Sequence, residues 1–403
     1  MQFSLWLRRA SIVGFVALTV CLASCGDSTG PSSGGFHQRW YQSQSGYAWA
    51  RPAVSGNVVY FGDGLGDVIA RDVRTGSQIW IARAGQGPIY GANILVRAGV
   101  VVAPVETHTV GLDAVTGRGL WFSKAPADTV DVLPGYIPGP GSVVGSTIDA
   151  DDQTVYIPAW GASVSAVDIH TGNVRWIWRP GRIESDTATS GVFRSGSMGV
   201  RVSGDTIFAT LWHYVIRSGV YSDAWLVAID RVAGKELWRV RLPFVGGGTM
   251  IWSPPLFYQN LVIVNTLPAR TYAIDRTTQK VVWQFVAPSE HLLTTTAEPE
   301  VYGDVVYVDG GNEQLYALRA RDGAVIWGAP FPTQATANLL VTERRVIFTN
   351  GQELMALDRE TGHMIARTTQ PGTYDGLFSS PAAFSNGFVF VTMAGAAWCI
   401  GEP

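Results

Sequence analysis

Cysteine is nearly absent from this chain: among 403 residues only Cys21, Cys25 and Cys399 carry a thiol. No two are adjacent, and two of the three sit in a leader, so neither a disulfide framework nor a cysteine metal cluster can be built. Charge is also scarce, at 15% of residues with a net charge of -3. Scattered Arg and Asp leave no basic stripe of the kind that nucleic acid demands. The six histidines show no paired spacing, which favours surface or packing roles over metal ligation. No HExxH and no phosphate-cradling glycine loop occurs. The nearest acidic cluster, "DADD" at 149–152, reads as a solvated turn and lacks the oxygen-rich loop that Ca²⁺ requires. What is abundant is glycine, with 46 residues, and tryptophan, with 15. That balance points to a turn-rich all-β chain.

The tryptophans recur in a phrase. "VIARDVRTGSQIW", "VGLDAVTGRGLW", "VSAVDIHTGNVRW", "LVAIDRVAGKELW", "TYAIDRTTQKVVW", "LYALRARDGAVIW" and "LMALDRETGHMIA" align as apolar-x-apolar-x-Asp-x-x-Thr-Gly-x-x-x-Trp. The Asp position holds Asp72, Asp113, Asp168, Asp230, Asp275 and Asp358, with Arg319 as the exception. The Gly position holds Gly76, Gly117, Gly172, Gly234, Gly323 and Gly362. The Trp position holds Trp80, Trp121, Trp176, Trp238, Trp283 and Trp327, with Ala366 in the seventh copy. Each Asp ends a strand, where its carboxylate can accept amide hydrogen bonds from the turn, and the Gly supplies the positive φ such turns require. The phrase is therefore a β-hairpin, and the repeated Asp is structural rather than catalytic, since a reaction needs one site.

Upstream of each hairpin lies another, as in "RPAVSGNVVYFGDG" (51–64) and "EPEVYGDVVYVDGG" (298–311). Four strands in about forty residues is the period of a β-propeller blade. Seven units are complete, and the chain then ends with "PAAFSNGFVFVTMAGAAWCIGEP", three strands without a fourth. The missing strand lies in "FHQRWYQSQ" (36–44), whose Trp40 precedes Trp80 by one repeat length. The expected fold is all-β: an eight-bladed propeller of four-stranded antiparallel blades over 37–403, closed by an N-terminal strand that completes the C-terminal blade and removes its edges. A seven-bladed ring with N-terminal decoration is the alternative.

The Asp-x-x-Thr-Gly-x-x-x-Trp repeat resembles the tryptophan-docking repeat of the PQQ-binding-like propeller superfamily, over residues 37–403. The leader carries a second resemblance. Arg8 and Arg9 precede the apolar run "SIVGFVALTVCLAS", which at about fourteen residues has the length of a signal h-region and is too short for a permanent span. It closes on "LASC", similar to a bacterial lipobox, which implies a signal peptide over 1–24 and a lipid on Cys25, with 25–36 as a Gly/Ser/Pro tether. Gly26 after the Cys implies outer-membrane sorting. An ordinary cleaved secretory signal is the alternative. A propeller with little attached, behind a lipobox, is similar to the BamB-like lipoproteins of outer-membrane β-barrel assembly, which implies protein partners in the envelope, a β-barrel assembly subunit among them. Quinoprotein dehydrogenases share the repeat, but their adjacent cysteines, Ca²⁺ ligands and large insertions have no counterpart, so neither PQQ nor a metal is expected.

Five segments look like insertions: 126–141, 180–199, 211–225, 243–252 and 287–296. In an up-and-down blade, the connections they occupy emerge on one face of the disc. They bring Tyr136, Arg182, Phe193, Arg194, Trp212, Tyr214, Arg217, Tyr221, Trp225 and Trp252 to a candidate binding face, and aromatic and Arg residues are enriched at interfaces. Packing of these aromatics beneath their own loops accounts for them equally well. Two functions fit: a lipid-anchored, non-catalytic scaffold for protein partners, or a small-molecule or glycan site at the channel mouth that uses Trp212, His213, Trp225 and Arg182 or Glu184.

Overall fold

Eight antiparallel sheets are formed by the described residues, seven running in chain order from an inner to an outer strand and the eighth taking its outer strand from the N-terminal side. The computed structural model describes residues 35–45, 50–86, 89, 93–105, 108–124, 147–159, 163–180, 193–215, 220–243, 249–251, 253–267, 269–288, 298–331, 339–349, 353–369, 382–393 and 395–403. The leader, Cys25 and most of the tether lie outside them. Blade one comprises Ala53–Ser55, Val58–Gly62, Asp67–Asp72 and Gln78–Arg83. Blades two, three, six and seven repeat this plan over 95–124, 149–178, 300–330 and 340–369. Blade eight is closed as the sequence implies. His37–Ser43 pairs antiparallel with Ala396–Gly401, outside Phe388–Met393 and Ala383–Ser385. Among the described residues there is no helix.

The middle strands are apolar throughout because both faces of a blade are covered by its neighbours. Val100–Val105, Thr154–Ala159 and Ala396–Gly401 are buried along their whole length. Each seam between neighbouring blades holds one hydrophobic cluster, for example Tyr60, Val68 and Trp80 with Val101 and Val110 between blades one and two.

The repeated phrase works across these seams. Asp72 Oδ1 accepts hydrogen bonds from the amides of Arg74 and Thr75 and from the Thr75 hydroxyl, and Asp113, Asp168 and Asp358 do the same in their turns. The following glycine stands at positive φ, +70° at Gly76 and +73° at Gly117, Gly172 and Gly362. Over each glycine lies the indole of the preceding blade. A Cβ on Gly76 would sit 2.6 Å from Trp40, and one on Gly117 2.7 Å from Trp80. Gly172 receives Trp121, Gly234 Trp176, Gly323 Trp283 and Gly362 Trp327. The indole Nε1–H then donates to the carbonyl one residue beyond the Asp position: Trp40 to Val73, Trp80 to Ala114, Trp121 to Ile169, Trp176 to Arg231, Trp283 to Ala320 and Trp327 to Arg359, at 2.6–3.1 Å.

Room for the indole within its own blade comes from the residue opposite it on the third strand. Ala70, Gly111, Ala166, Ala228, Ala273 and Ala317 pair with the tryptophans, and Cys399 pairs with Trp40. Cys399 is thus a buried small residue, with burial pushing its thiol pKa up to about 12.

Two blades depart from the expected plan. In blade five the inner strand is split into Met250–Ile251 and Leu256–Tyr258, both paired with Leu261–Leu267. In blade four, Phe193–Ser203, Thr206–Val215 and Val220–Asp230 are 11, 10 and 11 residues long. Of the segment 211–225, expected as an insertion between strands, residues 211–215 and 220–225 instead continue those strands.

The glycine at the docking turn carries two separable demands, positive φ and space. Gly99, at φ +77° with nothing within 4 Å of its virtual Cβ, carries only the first. Gly99→Ala is expected to cost about 1–2 kcal/mol from the left-handed backbone alone. Gly172→Ala, whose Cβ would sit 2.6 Å from that of Trp121, adds overpacking of roughly 1–3 kcal/mol. Urea unfolding of the two variants checks the difference, and equal losses would remove the docking contact from the account.

Candidate functional site

Strand lengthening places the candidate face. First-to-second and third-to-fourth turns lie on one side of the disc, and second-to-third connections and blade-to-blade crossings on the other. Blade four's excess length projects on that second side, as a three-stranded extension. Its register runs from Phe193↔Val215 to Ser197↔Leu211, and from Leu211↔Trp225 to Val215↔Val220, with a bulge in each pairing. The outer strand Glu236–Arg241 pairs only with the Trp225–Ile229 portion. The stretch Val220–Ser222 therefore runs past the end of its outer neighbour among the described residues.

What anchors the extension is an ion pair between a buried carboxylate and an exposed guanidinium. Asp223 is almost fully buried, and Arg241 on the outer strand grips it, with Nε 2.6 Å from Oδ1 and a second guanidinium nitrogen on the same oxygen. Beneath it, Trp225 packs with Trp178, Leu211 and Val227. Ile251 of blade five, fully buried, packs against Ala224, Leu226 and Leu242. The two blades thus form one raised wall.

The expected binding residues are therefore divided. Trp212 and Trp225, at 2% and 5% exposure, are corrected to core residues. The reason is strand continuation: a loop aromatic is free to point outward, whereas one in a sheet covered by a neighbouring blade has to pack. Phe193, Arg194, Tyr214 and Tyr221 lie on the extension by backbone position. Tyr136, Arg182, Arg217 and Trp252, like most of the blade-to-blade segments, lie outside the described residues.

Sequence reasoning missed a polar collar at the channel mouth on the same side. It is built by the residues just ahead of the inner strands. The Ile94 amide donates to the Arg51 carbonyl, and the Asn93 side chain both donates to the Ile148 carbonyl (3.1 Å) and accepts from the Ile148 amide (3.0 Å). Val200 N–H reaches the Thr147 carbonyl, and Thr210 Oγ1 donates to the Ser253 carbonyl. This laces blades one to five. Blade six is joined across the channel. Arg51 lies 3.2 Å from Glu300 and 3.8 Å from Glu298, and the Thr147 hydroxyl donates to Glu298 at 2.9 Å. Enclosure among the inner strands pushes the Glu300 carboxyl above its ordinary pKa, against the pull of Arg51 and Arg201. Both carboxylates are thus engaged by protein groups, and among the described residues no group of three acidic, His or Cys side chains could hold a metal. Cys399 sits in a blade interior, and the acidic pair already holds a guanidinium.

"DADD" is more than a solvated turn. Asp149 accepts from the Val202 amide, Asp151 from the Tyr156 hydroxyl and Arg231, and Asp152 from Arg97, so the run stitches blades two, three and four.

Comparison with known proteins places this architecture. The family profile described as outer membrane protein assembly factor BamB matches residues 37–210 and 177–400. The outer membrane protein assembly factor BamB of Nitrosomonas eutropha is 28% identical over 150 residues, 35% of this chain and 34% of that protein. The match thus spans about a third of that relative's length. The crystal structure of BamB from Moraxella catarrhalis superposes with a TM-score of 0.67 at 15% identity, covering 91% of this chain and 99% of that one. The quinohemoprotein alcohol dehydrogenase of Comamonas testosteroni superposes at 0.64 with 14% identity, covering 91% and 76%. At such identities the superpositions show a shared fold.

Two kinds of carboxylate give opposite pH dependences. Hydrogen bonds from Thr75, Thr116, Thr278 and Thr361 hold Asp72, Asp113, Asp275 and Asp358 below the usual carboxylate range. Their stabilisation is present above the unfolded value of about 3.9 and is lost as pH falls through the depressed folded values. Asp309, which ends a blade-six strand on the collar side, is pushed up to about 6 by burial, against one hydrogen bond from the Gly311 amide. Its raised pKa makes the fold lose stability as pH rises from about 4 to 6. Asp309→Asn, which keeps an acceptor for Gly311, is expected to stabilise by about 2–3 kcal/mol at pH 7 and to be neutral at pH 4. Thermal unfolding across that range checks this, and a variant destabilised at pH 7 would contradict it.

Proposed function

Because the chain belongs to the family of the outer membrane protein assembly factor BamB, we propose that it is a non-catalytic scaffold of the bacterial cell envelope. It holds protein partners on the raised wall of blades four and five. The observation that carries this reading is the blade-four extension, a sheet that among the described residues runs past its outer neighbour at Val220–Ser222. A strand that continues beyond its outer neighbour among the described residues can accept an extended segment of another chain, with affinity from main-chain hydrogen bonds and few sequence demands. Anchorage of the buried Asp223 by Arg241 keeps that edge in place before a partner arrives, so little ordering cost falls on binding.

In this reading the protein sits on the periplasmic side of the outer membrane, held by lipid on Cys25 and using neither PQQ nor a metal. The lipobox-like "LASC" supports the anchor. The Arg51, Glu298 and Glu300 cluster supports the lack of quinone chemistry, since its carboxylates are already engaged by Arg51 and Thr147. The same cluster weighs against a small-molecule or glycan site there, and the burial of Trp212 and Trp225 removes two of the side chains such a site would use.

A photo-crosslinking residue at Tyr221 and another at Val115, on the opposite side of the disc, test the reading in native envelopes. Capture of a β-barrel assembly subunit from Tyr221 and not from Val115 is expected. Capture from Val115 alone would move the interface to the other face. Asp223→Ala should abolish the Tyr221 product while circular dichroism of the ring is retained.

A further inference from the structure

The point at which the chain enters the ring limits how the ring can lie on a membrane. His37–Ser43 is the outer strand of blade eight and begins opposite Gly401. In the other blades this place is taken by the Asp-x-x-Thr-Gly turn. Here Gly35, at φ +90°, fills it together with Pro403, and its virtual Cβ falls 2.8 Å from Pro403 and 3.2 Å from Ala366. Phe36 packs beside Ala366, Ala382 and Trp398. The seam is keyed by Arg345, whose Nε donates to the Pro403 carbonyl at 3.2 Å, and by a bond from the Thr342 hydroxyl to Glu402. Trp40, docked on Gly76, pins the strand itself. The entering chain is therefore fixed at Gly35 and gains no slack by fraying.

That entry point and the blade-four wall are as far apart as the fold allows. Gly35 lies on the short-turn side of blade eight. The extension rises from the other side of blade four, which stands directly across a ring of eight. Between Cys25 and Gly35 there are ten residue steps, at most about 35 Å fully extended and about 17 Å in a relaxed Gly/Ser-rich chain. Strands of five to seven residues, such as Val58–Gly62 and Leu261–Leu267, make the disc about 20 Å thick. The excess strand length of blade four adds a stand-off of about 15 Å. Turning the wall toward the bilayer would demand that the tether climb the disc and clear the stand-off, which uses its whole contour length.

We propose that lipid on Cys25 holds the ring with its short-turn side and blade-eight rim against the lipid headgroups, and with the blade-four wall and channel collar facing the aqueous compartment. The proposal rests on the lipid-anchor reading above. It makes the short turns of blades seven, eight and one the membrane-facing surface, and it leaves the partner edge approachable only from the side away from the bilayer.

The test uses the mature lipoprotein, with Cys399→Ala, on vesicles of phosphatidylethanolamine and phosphatidylglycerol doped with nitroxide-headgroup lipid. A fluorophore is placed at Glu360→Cys, on the blade-seven short turn, or at Ser222→Cys, on the wall. Loss of fluorescence at 360 with none at 222 is expected. Equal loss at both sites, or greater loss at 222, would overturn the orientation. A companion chain carrying Cys25→Ala is floated with the same vesicles. If it leaves them while 222 is quenched in the lipidated protein, the orientation alone is overturned; if it stays bound, the lipid reading falls and the orientation with it.

Discussion

The contact on which the ring depends is an indole laid flat on a glycine. Each blade alone is a small sheet with an apolar face it cannot bury, and the tryptophan of its outer strand solves this by reaching across the seam. The turn it meets has to be tight, free of a Cβ and equipped with a carbonyl for the indole N–H. Asp, Thr and Gly supply the first two of these together. The carboxylate and hydroxyl hold the turn closed, and the glycine accepts both the positive φ and the indole. Truncating a buried tryptophan costs about 3–5 kcal/mol, which is comparable to half the net stability of an ordinary domain. Such a contact, present at six seams, therefore dominates how blades are held in phase.

The seams that lack the full set show what can replace it. Between blades four and five, Gln279 occupies the glycine position at φ +58°. There Arg276 of the same turn lies over Phe208 and Phe257, with its guanidinium carbon 5.2 and 4.4 Å from the ring centroids, and donates to Ser203 of blade four. In blade six the Asp position is Arg319, and the charge pattern is reversed: Arg319 donates to Asp322, which in turn accepts from the Ala324 amide. At the seam between blades seven and eight the tryptophan is Ala366 and the turn is two chain segments, joined by Gly35, Phe36 and Pro403. A single indole that could not lie on a broken turn is replaced by a set of smaller contacts.

Most of this architecture was legible because the repeat is local. Asp and Gly stand four residues apart within one hairpin, so turn chemistry could be read from one copy and the blade count from the number of copies. The closing strand was legible from Trp40 for the same reason. The docking partner was not, because Trp80 and Gly117 belong to different copies and the chain between neighbouring blades varies in length. One signal did point to it: the residue two before each Asp position is Ala or Gly, and the matching place in blade eight is Cys399. A position kept that small, in a strand otherwise rich in Val, Leu and Ile, marks something large lying on it. The collar was invisible for a similar reason, since Arg51, Asn93, Thr147 and Glu298 come from four repeats and meet only when the ring closes. The blade-four wall was misread because its length broke the period. Strands in the other copies run two to seven residues, so the surplus in 193–230 looked like loop, although its aromatic and β-branched content favours strand.

That surplus also runs against the logic of the rest of the molecule. A ring of blades exists to abolish sheet edges, since an unpaired edge invites aggregation. His37–Ser43 is drawn from the far end of the chain for that purpose alone. Among the described residues, blade four then extends three strands past its own outer strand, and the buried Asp223 with Arg241 holds them there. Burying the Asp223 carboxylate is costly, and its desolvation offsets much of the attraction to the exposed Arg241. A buried carboxylate at the root of strands that outrun their neighbour among the described residues is better explained by the geometry it fixes. The ring supplies rigidity by closing every seam, and the wall uses that rigidity to present an edge at a defined height and direction.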